Sequence, residues 1–547
     1  MAQALRPLAL VRPPQEQVPD MQPGPSAGAH AAGGHAAGAH AVGAHAAALA
    51  SGLAPADFID GQWLPLPAEG QHLVRSVNPA APAEVVWTAA AQPAHVERAV
   101  HAARRALPAW SMRPLQERVE CLRRYAECAA AAAPRMAALI TREVGKTLAE
   151  ATAEAGLLAE KVNITLDPVS MSRVTGYQVS AGATRSGNTH FMPLGVMGVI
   201  GPFNFPAHLP NGHIVPALLL GNTVVFKPSE KAPAVAQLLA TLLAECLPPG
   251  VFNLVQGSGV SAAALVDHPE VDGILFTGSW PVGRRILQAN LDRPSRMVAL
   301  EMGGNSPAVV LPDADLRQAV VECARSAFAT TGQRCTCTRR IIVHRDVAPR
   351  FIRALTEAAR ALAIGPGDSP TPVFMGPLVT QEARDAVLRF QDQAAAQGAR
   401  VLLPCRPLDR EGWFLSAGVL QVPRFEGHAD TEVFGPLVQV SEAADLDDAI
   451  AQANATQFGL AAACFTADPA AFQQFLHRCR AGCINWNTGT AGASGKLPFG
   501  GLGTSGNLRP AGAFSVDYCA VPVASMVERS SAAPLPAGMR LDDAWLA

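Results

Sequence analysis

The fold class of this chain is decided by residues 195–230, which read GVMGVIGPFNFPAHLPNGHIVPALLLGNTVVFKPSE. An apolar run of strand length is followed by a segment of helical character and then by a second apolar run, with glycine and proline near the junctions. This order is typical of a βαβ unit, in which a helix joins two parallel strands. The stretch therefore predicts a parallel sheet covered by helices.

The alternation of strands and helices continues downstream. VFNLVQG and VDGILFTGS are predicted strands with a predicted helix between them, and a second alternating region runs from near residue 297 past residue 480. Upstream, DFIDGQWLPL is a strand-and-turn pattern that is followed by several predicted helices. We expect an α/β fold with two doubly wound lobes and a boundary near residue 300.

The composition excludes some classes of function. The chain has 547 residues, enough for about two or three domains, and 49% of them are hydrophobic, enough for a large core. Its formal net charge is −2, so no overall field attracts nucleic acid or an acidic membrane surface. The 11 cysteines are odd in number and scattered, which indicates free thiols, and no apolar run reaches the ~18 residues of a membrane helix. We expect a cytoplasmic protein without nucleic acid or membrane partners.

Residues 1–54 differ from the rest of the chain. Histidines recur there at five-residue intervals, at His30, His35, His40 and His45, among alanine and glycine. Such residues cannot bury enough apolar surface to offset the entropy of ordering, so we predict a disordered Ala/Gly/His-rich tail. Weak metal binding by the histidines is an alternative.

Polar side chains follow the predicted strands of the first lobe, where a doubly wound sheet binds its ligands. Asn204 follows the first of these strands, and Lys227 and Glu230 follow the second. A carboxylate can accept hydrogen bonds from the two hydroxyls of a ribose while a lysine donates to the sugar oxygens, so this pair suits ribose recognition. Charged strand ends are also often merely solvated, and that alternative stays open.

Two glycine-led turns join strands to helices in the same lobe. VQGSGVSAA fits the pattern G-x-G-x-x-A, which by itself is a weak signal because such glycines also cap helices. In FTGSWPVG, Gly278 and Ser279 open a predicted helix and Gly283 follows. Backbone N–H groups at the start of a helix suit a pyrophosphate, so the two turns together favour nucleotide binding.

The stretch TTGQRCTCTRR, residues 330–340, contains two cysteines separated by one residue. Cys335 follows a predicted helix that ends at Gly332, and a thiol at such a junction can be exposed and activated. Cys337 is interpreted as a small packed thiol. A lone C-x-C lacks the second pair of ligands that a structural zinc site needs, so no metal is expected. Glu301, directly after an apolar run, is either a general base or a helix-capping charge.

Seven short motifs occur in order along residues 203–501. They read FNFP, KPSE, FTGS, LEMGGN, GQRCT, EVFGP and PFGG. This series resembles the NAD(P)-dependent aldehyde dehydrogenase superfamily, and the resemblance covers the chain after about residue 56. Longer stretches, AGCINWN and SVDYCAVPVAS among them, are similar to a branch of the superfamily that oxidises a carboxylated semialdehyde in bacterial arginine catabolism. The implied fold is aldehyde dehydrogenase-like, with a small β oligomerisation arm beside the two lobes.

The resemblance implies that Cys335 is a nucleophile. Its thiolate would attack the aldehyde carbon, hydride would leave for the nicotinamide, and water activated by Glu301 would hydrolyse the resulting thioester. The side-chain amide of Asn204 and the backbone N–H of Cys335 would hold the tetrahedral oxyanion.

The resemblance also implies NAD as the cofactor. Lys227 and Glu230 would hold the adenosine ribose, and the carboxylate of Glu230 favours NAD over NADP because it repels a 2′-phosphate. Glu432 would bind the nicotinamide ribose, with Phe434 packed nearby. The turn that would hold the pyrophosphate consists of Gly278, Ser279, Trp280, Pro281, Val282 and Gly283.

On the same basis the folded chain is divided into three parts. Residues 55–174 and 194–300 would form the NAD-binding domain, and residues 301–500 the catalytic domain. Residues 175–193 and 515–530 would form the β arm that joins a homodimer or homotetramer.

The substrate end of the site departs from the superfamily pattern. Thr488 and Gly489 follow NWN where close relatives have a lysine or another polar residue. A carboxylated substrate needs hydrogen-bond donors, and arginine can donate two parallel bonds to a carboxylate. Arg334, beside the predicted nucleophile, and Arg509, shortly after PFGG, are the candidate substrate residues. Either arginine could instead face solvent or pair with a structural acid.

Two other classes of function remain open at this point. A cysteine hydrolase would use Cys335 with His208 or His213 as its base, but it would leave the nucleotide-like turns unexplained. A catalytically silent binding protein on the same fold is disfavoured by the intact set of Cys335, Glu301 and Asn204.

Overall fold

The computed structural model describes residues 52–426, 430–531 and 534–547. Residues 1–51 make up nearly all of the predicted tail, and they lie outside the described residues together with the four histidines of the repeat. The described residues contain two seven-stranded sheets and three small ones.

The first large sheet is built from the part of the chain that ends at Glu301. Its strands, and those of two small sheets, are β1 (Ala56–Ile59), β2 (Gln62–Pro65), β3 (Leu73–Asn78), β4 (Ala81–Ala90), β5 (Gln178–Ser180), β6 (Arg185–Pro193), β7 (Val196–Ile200), β8 (Thr223–Lys227), β9 (Phe252–Leu254), β10 (Gly273–Thr277) and β11 (Met297–Glu301). The helices of this part are α1 (His95–Ser111), α2 (Leu115–Val144), α3 (Leu148–Leu166), α4 (Pro168–Ser172), α5 (His208–Leu219), α6 (Pro233–Ala244), α7 (Gly259–Asp267) and α8 (Trp280–Ala289).

The second large sheet is built from the part that follows. Its strands, and those of the remaining small sheets, are β12 (Ser306–Val310), β13 (Thr338–His344), β14 (Arg400–Leu403), β15 (Gly418–Gln421), β16 (Leu437–Ala443), β17 (Ala461–Phe465), β18 (Cys483–Trp486), β19 (Pro498–Phe499), β20 (Ala511–Gly512) and β21 (Ala520–Glu528). The helices are α9 (Leu316–Phe328), α10 (Ala348–Arg360), α11 (Gln381–Ala396), α12 (Leu446–Ala453) and α13 (Pro469–Arg478). Within the described residues, no helix combines the length and the apolar composition that a bilayer span requires.

The strand order of the first sheet is β11-β10-β7-β8-β9-β1-β2. The five strands from β11 to β9 are parallel, and the hairpin of β1 and β2 closes one edge antiparallel. Alternate side chains of β7 enter two separate cores, Met197 and Val199 on one face and Val196 and Ile200 on the other. Because both faces are covered by helices, such strands read as continuous apolar runs.

The order in which the chain connects the strands of this sheet indicates where a ligand crevice lies. The chain proceeds from β7 to β8 and β9 on one side and then returns to β10 on the other side of β7. In open α/β sheets, ligands bind at the carboxyl ends of the strands where the order reverses. The crevice is therefore expected between the ends of β7 and β10, at Ile200 and Thr277.

The second sheet has the order β14-β15-β16-β13-β12-β17-β18. It is parallel except for the antiparallel edge strand β14. The chain leaves the first sheet at Glu301 and enters the second at Ser306. The predicted α/β fold with two doubly wound lobes is confirmed.

A three-stranded antiparallel sheet of β5, β6 and β21 lies within the segments predicted as the β arm. β21 begins at Ala520, after a 3₁₀ helix over Ala513–Val516. The apolar side chains of Val521, Val523 and Met526 are exposed on this sheet. These residues form a surface that a second protein chain could cover.

Candidate active site

A cavity of about 440 Å³ lies at the carboxyl ends of β7, β8 and β10, where the sheet topology places a crevice. Residues of both lobes line it, and Asn204 and Cys335 are among them. The predicted cofactor residues that line this cavity are Lys227, Glu230, Gly278, Ser279, Val282, Glu432 and Phe434. Trp280, Pro281 and Gly283 belong to the first turns of α8 and lie outside the lining.

Lys227 and Glu230 present a donor and an acceptor side by side in this cavity. Lys227 ends β8, its side chain is buried, and its Nζ lies 3.7 Å from Oε2 of Glu230. Burial lowers the pKa of Lys227, and the neighbouring carboxylate of Glu230 opposes that effect. Glu230 is exposed and can accept further hydrogen bonds.

The start of α8 opens onto the same cavity. Ser279 is the residue before the helix, and its side chain makes no capping hydrogen bond. The backbone N–H groups at this end are thus not capped by a side chain. Pro281 stands in the first turn, where a missing N–H and a fixed φ are tolerated.

Glu432 brings the second lobe to the cavity. Its Oε1 accepts a hydrogen bond of 3.0 Å from the backbone N–H of Gly304. A Cβ atom at residue 303 would lie 1.8 Å from Oε2 of Glu432, so only glycine permits this approach. The ring of Phe434 meets the ring of Phe203 edge-on, with 5.9 Å between the ring centres.

A second cavity, of about 270 Å³, is lined by α3, α5 and the segment 491–495. The residues that line both cavities are Leu209, Thr277, Glu301, Cys335 and Phe499. The predicted nucleophile and the predicted base therefore stand where the two cavities meet, which is the arrangement that a reaction between a cofactor and a substrate requires.

A sequence model of the aldehyde dehydrogenase family matches residues 66–521. The chain belongs to the aldehyde dehydrogenase family. It is therefore an oxidoreductase that acts on aldehydes, and the expectation drawn from the seven motifs is confirmed.

Individual aldehyde dehydrogenases resemble this one over most of their length. A protein of Chromobacterium violaceum named N-succinylglutamate 5-semialdehyde dehydrogenase is 42% identical over 479 residues, which cover 87% of this chain and 97% of the relative. A protein of the same name from Caulobacter sp. (strain K31) is 44% identical over 471 residues, or 86% and 95% of the two chains. The crystal structure of betaine aldehyde dehydrogenase from Staphylococcus aureus in complex with NAD+ superimposes with a TM-score of 0.82 at 27% identity, covering 89% of this chain and 97% of that one.

Burial and nearby acidic groups favour the protonated form of the Cys335 thiol in this aldehyde dehydrogenase. Cys335 is half-buried, and burial raises the pKa of its thiol, with further increases from the carboxylates of Glu432 and Glu301 and from the thiol of Cys337. Cys335 is thus half-buried where an exposed thiol was expected, and its activation stays a prediction.

The helix before Cys335 also ends earlier than predicted. α9 ends at Phe328, and a 3₁₀ helix follows over Ala329–Gly332. Thr330 and Thr331 have φ values of 53° and 55°, in the left-handed region that residues with branched side chains rarely adopt. The backbone N–H and the hydroxyl of Thr330 both donate to Oε1 of Glu150, at 2.8 and 2.9 Å, and this contact holds the strained turn.

Glu301 and Asn204 line the same cavity as the thiol. Oε2 of Glu301 is buried and has no hydrogen-bond partner among the described residues, and burial raises the pKa of this carboxyl well above its ordinary value. The side-chain amide of Asn204 donates to the backbone carbonyl of Gln333 at 3.0 Å. An amide NH₂ group has two donors, so one remains for another acceptor.

The two candidate substrate arginines have different surroundings. Arg334 lines the second cavity, but its Nη2 pairs with Glu150 at 2.9 Å and its Nε donates to Thr330 at 2.8 Å. Arg509 is exposed and lies outside the lining of both cavities. The structure brings Arg334 to the thiol and does not bring Arg509 there.

The two histidines considered as hydrolase bases do not bind the thiol. His213 is buried and uses both ring nitrogens, with Nδ1 2.9 Å from the hydroxyl of Tyr518 and Nε2 3.2 Å from that of Thr277. Burial lowers the pKa of His213 to about 3 and that of His208 to about 4. No hydrogen bond joins either histidine to Cys335 in the described structure, although a hydrolase needs such a bond.

Sequence reasoning missed Glu150 and Lys161, which both belong to α3. Glu150 binds the turn before the thiol, and Lys161 lines the second cavity. Lys161 is one of only 5 lysines in the chain, and this scarcity is the one signal that could have drawn attention to it.

Proposed function

We propose that this enzyme oxidises N-succinyl-L-glutamate 5-semialdehyde to N-succinyl-L-glutamate with NAD, a step of arginine catabolism by succinyl transfer. The observation that carries the proposal is the joint position of Cys335 and Glu301 where the two cavities meet, in a chain 42% identical to a relative of that name. An aldehyde dehydrogenase for another carboxylated semialdehyde is the second candidate, and the departure at Thr488 and Gly489 favours it.

Cys335 is the nucleophile of this proposal. Its sulfur attacks the aldehyde carbon to form a thiohemiacetal, and loss of hydride from that carbon leaves a thioester. Because the thiol is protonated in the surroundings described above, its proton must pass to a base as the carbon–sulfur bond forms. Solvent water takes up this proton, and Glu301, which lines both cavities with Cys335, acts in the later hydrolysis step.

Glu301 acts as the general base for hydrolysis of the thioester. Its unpartnered Oε2 can accept a hydrogen bond from a water molecule. The raised pKa of Glu301 is the property of a carboxylate that must take up a proton during the reaction and release it later.

Asn204 and the backbone N–H of Cys335 stabilise the oxyanion of the tetrahedral states. The free donor of the Asn204 amide supports this role, because its other donor is already bound to Gln333 and fixes the amide plane. Removing one such donor should cost about 3 kcal/mol of transition-state stabilisation, about 100-fold in rate.

The cavity of about 440 Å³ is the proposed site of a dinucleotide. Lys227 and Glu230 would hold the adenosine ribose, the uncapped start of α8 at Ser279 would hold the pyrophosphate, and Glu432 with Phe434 would hold the nicotinamide ribose. When bound, NAD accepts the hydride lost from the thiohemiacetal. We propose NAD in preference to NADP because the carboxylate of Glu230 would repel a 2′-phosphate.

We also propose a homodimer or homotetramer in the cytoplasm. The exposed apolar residues of the sheet of β5, β6 and β21 support an oligomer joined through residues 175–193 and 515–530. The 11 free cysteines support a reducing compartment.

A steady-state assay of NADH formation tests the proposal. The purified enzyme would be given N-succinylglutamate 5-semialdehyde, glutarate semialdehyde and a neutral aldehyde of similar length, each with NAD and with NADP. We expect the highest kcat/KM with the first aldehyde and NAD, and no activity in Cys335→Ala. A higher kcat/KM with glutarate semialdehyde would select the second candidate, and equal values for all three would exclude both.

A further inference from the structure

Lys161 is a buried cation in the wall of the smaller cavity. It lies on α3, it is 5% exposed, and it lines the cavity that also contains Cys335. Its ammonium group donates to the backbone carbonyl of Gly512 and to the hydroxyl of Ser515, both at 2.8 Å. Neither partner carries a negative charge.

No ion pair to Lys161 occurs in the parts of the chain that the structure describes. Lys146 is also buried, but its charge is paired with a carboxylate, as is usual for buried lysines. Its Nζ lies 2.6 Å from a carboxylate oxygen of Glu154. A buried charge without a counter-ion is costly, and burial lowers the pKa of Lys161 to about 8. The amine still carries its proton for most of the time at neutral pH, so the cavity wall holds an uncompensated positive charge.

The imidazole of His208 is a second polar group in the wall of the same cavity. Its Nδ1 is buried and has no hydrogen-bond partner within the described ranges. It lines the same cavity as Lys161, and the charge of Lys161 contributes to the lowered pKa of His208. An anion placed between the two side chains would neutralise the lysine and accept a hydrogen bond from the imidazole.

We propose that Lys161 and His208 form a carboxylate-binding subsite. It binds a carboxylate group of the aldehyde substrate that is distant from the reacting aldehyde carbon. This inference rests on the proposed function and adds the residues that select the substrate class. Arg334 is a weaker candidate for this task, because two of its nitrogens already bind Glu150 and Thr330. The competing account is that Lys161 only holds the loop of Gly512 and Ser515 in place.

Lys161→Met tests the subsite. Methionine keeps most of the length and the unbranched apolar stem of lysine, and it removes the charge and the donors. We expect kcat/KM for N-succinylglutamate 5-semialdehyde to fall about 10- to 150-fold, the range expected for one hydrogen bond to a charged group. The value for a neutral aldehyde of similar length should change less than about twofold. Lys161→Arg should retain most of the preference, and His208→Phe should reproduce the selective loss in weaker form.

Three measurements separate the possible outcomes. Lys496→Met, the same change at an exposed lysine near the cavity-lining segment, should leave both substrates unaffected. The melting temperature of Lys161→Met should change little, because removal of the buried charge offsets the two lost hydrogen bonds to Gly512 and Ser515. Binding of N-succinylglutamate, measured by calorimetry, should weaken in Lys161→Met by a factor similar to the loss in kcat/KM.

Two results would overturn the inference while leaving the proposed function intact. One is a Lys161→Met enzyme that keeps the wild-type preference for the carboxylated aldehyde. The other is an equal loss for both aldehydes together with a lower melting temperature, which would assign Lys161 to the loop. A wild-type enzyme that does not prefer carboxylated aldehydes would instead exclude the proposed function, and the subsite with it.

Discussion

Arg334 and Glu150 form an ion pair in which Nη2 lies 2.9 Å from Oε1. The same carboxylate oxygen accepts hydrogen bonds from the backbone N–H and the hydroxyl of Thr330. One glutamate at the start of α3 therefore fixes the strained turn and the arginine that directly precedes Cys335. This contact makes the position of the thiol depend on a residue 185 positions earlier in the chain.

Breaking this pair should affect all substrates alike. Arg334→Ala and Glu150→Ala each remove bonds that hold the thiol loop, so we expect the free energy of unfolding to fall by about 1–3 kcal/mol. The value of kcat/KM should fall by similar factors for carboxylated and neutral aldehydes. Arg360→Ala, at an exposed ion pair, is the matched control and should change neither quantity. A loss confined to carboxylated aldehydes in Arg334→Ala would show that this arginine binds substrate.

The two cysteines of the C-x-C stretch should respond differently to substitution. Cys337 is fully buried and packs near the carbonyl of Ala329, so Cys337→Ala should keep most of the activity and lose about 1 kcal/mol of stability. Cys335→Ala should abolish NADH formation, because no thioester can form. Initial rates and thermal melts of both variants decide the matter, and equal losses of activity would refute the assignment of Cys335.

Glu301→Gln should separate the two halves of the reaction. Hydride transfer precedes attack by water, so the variant should still release a burst of NADH of about one equivalent per active site. Its steady-state rate should fall about 100-fold or more, since the base for hydrolysis is missing. Stopped-flow absorbance at the NADH band measures both phases. Absence of the burst would assign Glu301 to deprotonation of the thiol instead.

The reactivity of Cys335 in the free enzyme should rise with pH over a wide range. Its thiol has a raised pKa, caused by burial and by the groups that face it, Glu432, Glu301 and Cys337. The thiolate is the reactive form, so its fraction is small at pH 7 and grows about tenfold with each unit of pH below the pKa. Alkylation by iodoacetamide, followed by mass spectrometry of the Cys335 peptide, should show no plateau up to pH 9. A plateau near pH 7 would reveal an activating cation.

The sequence contained enough information to predict both sheets and the residues at their strand ends. Asn204, Lys227 and Ser279 follow apolar runs, and the carboxyl ends of parallel strands must share one edge of a sheet, so their convergence follows from local patterns alone. Glu301 is predictable for the same reason. Each of these residues can be predicted from the sequence around it, whereas the cavity that they line is formed by segments far apart in the chain.

Other features could not be predicted, because distant contacts create them. The turn at Thr330 and Thr331 contradicts the local preference of threonine, and it exists because Glu150 satisfies its backbone. Lys161 faces the cavity because the loop of Gly512 and Ser515, about 350 residues away, binds its ammonium group. The sequence around the threonine turn and around Lys161 does not indicate these distant partners.

The two cavities have in common only Leu209, Thr277, Glu301, Cys335 and Phe499. Lys227 and Glu230 belong to one cavity, while Lys161 and His208 belong to the other. Changes to either pair leave the opposite wall untouched, and substitutions at separate sites without shared partners are usually additive. With the roles proposed above for these two pairs, coenzyme choice and aldehyde choice can be redesigned independently, and a natural lineage could exchange one preference without first losing the other.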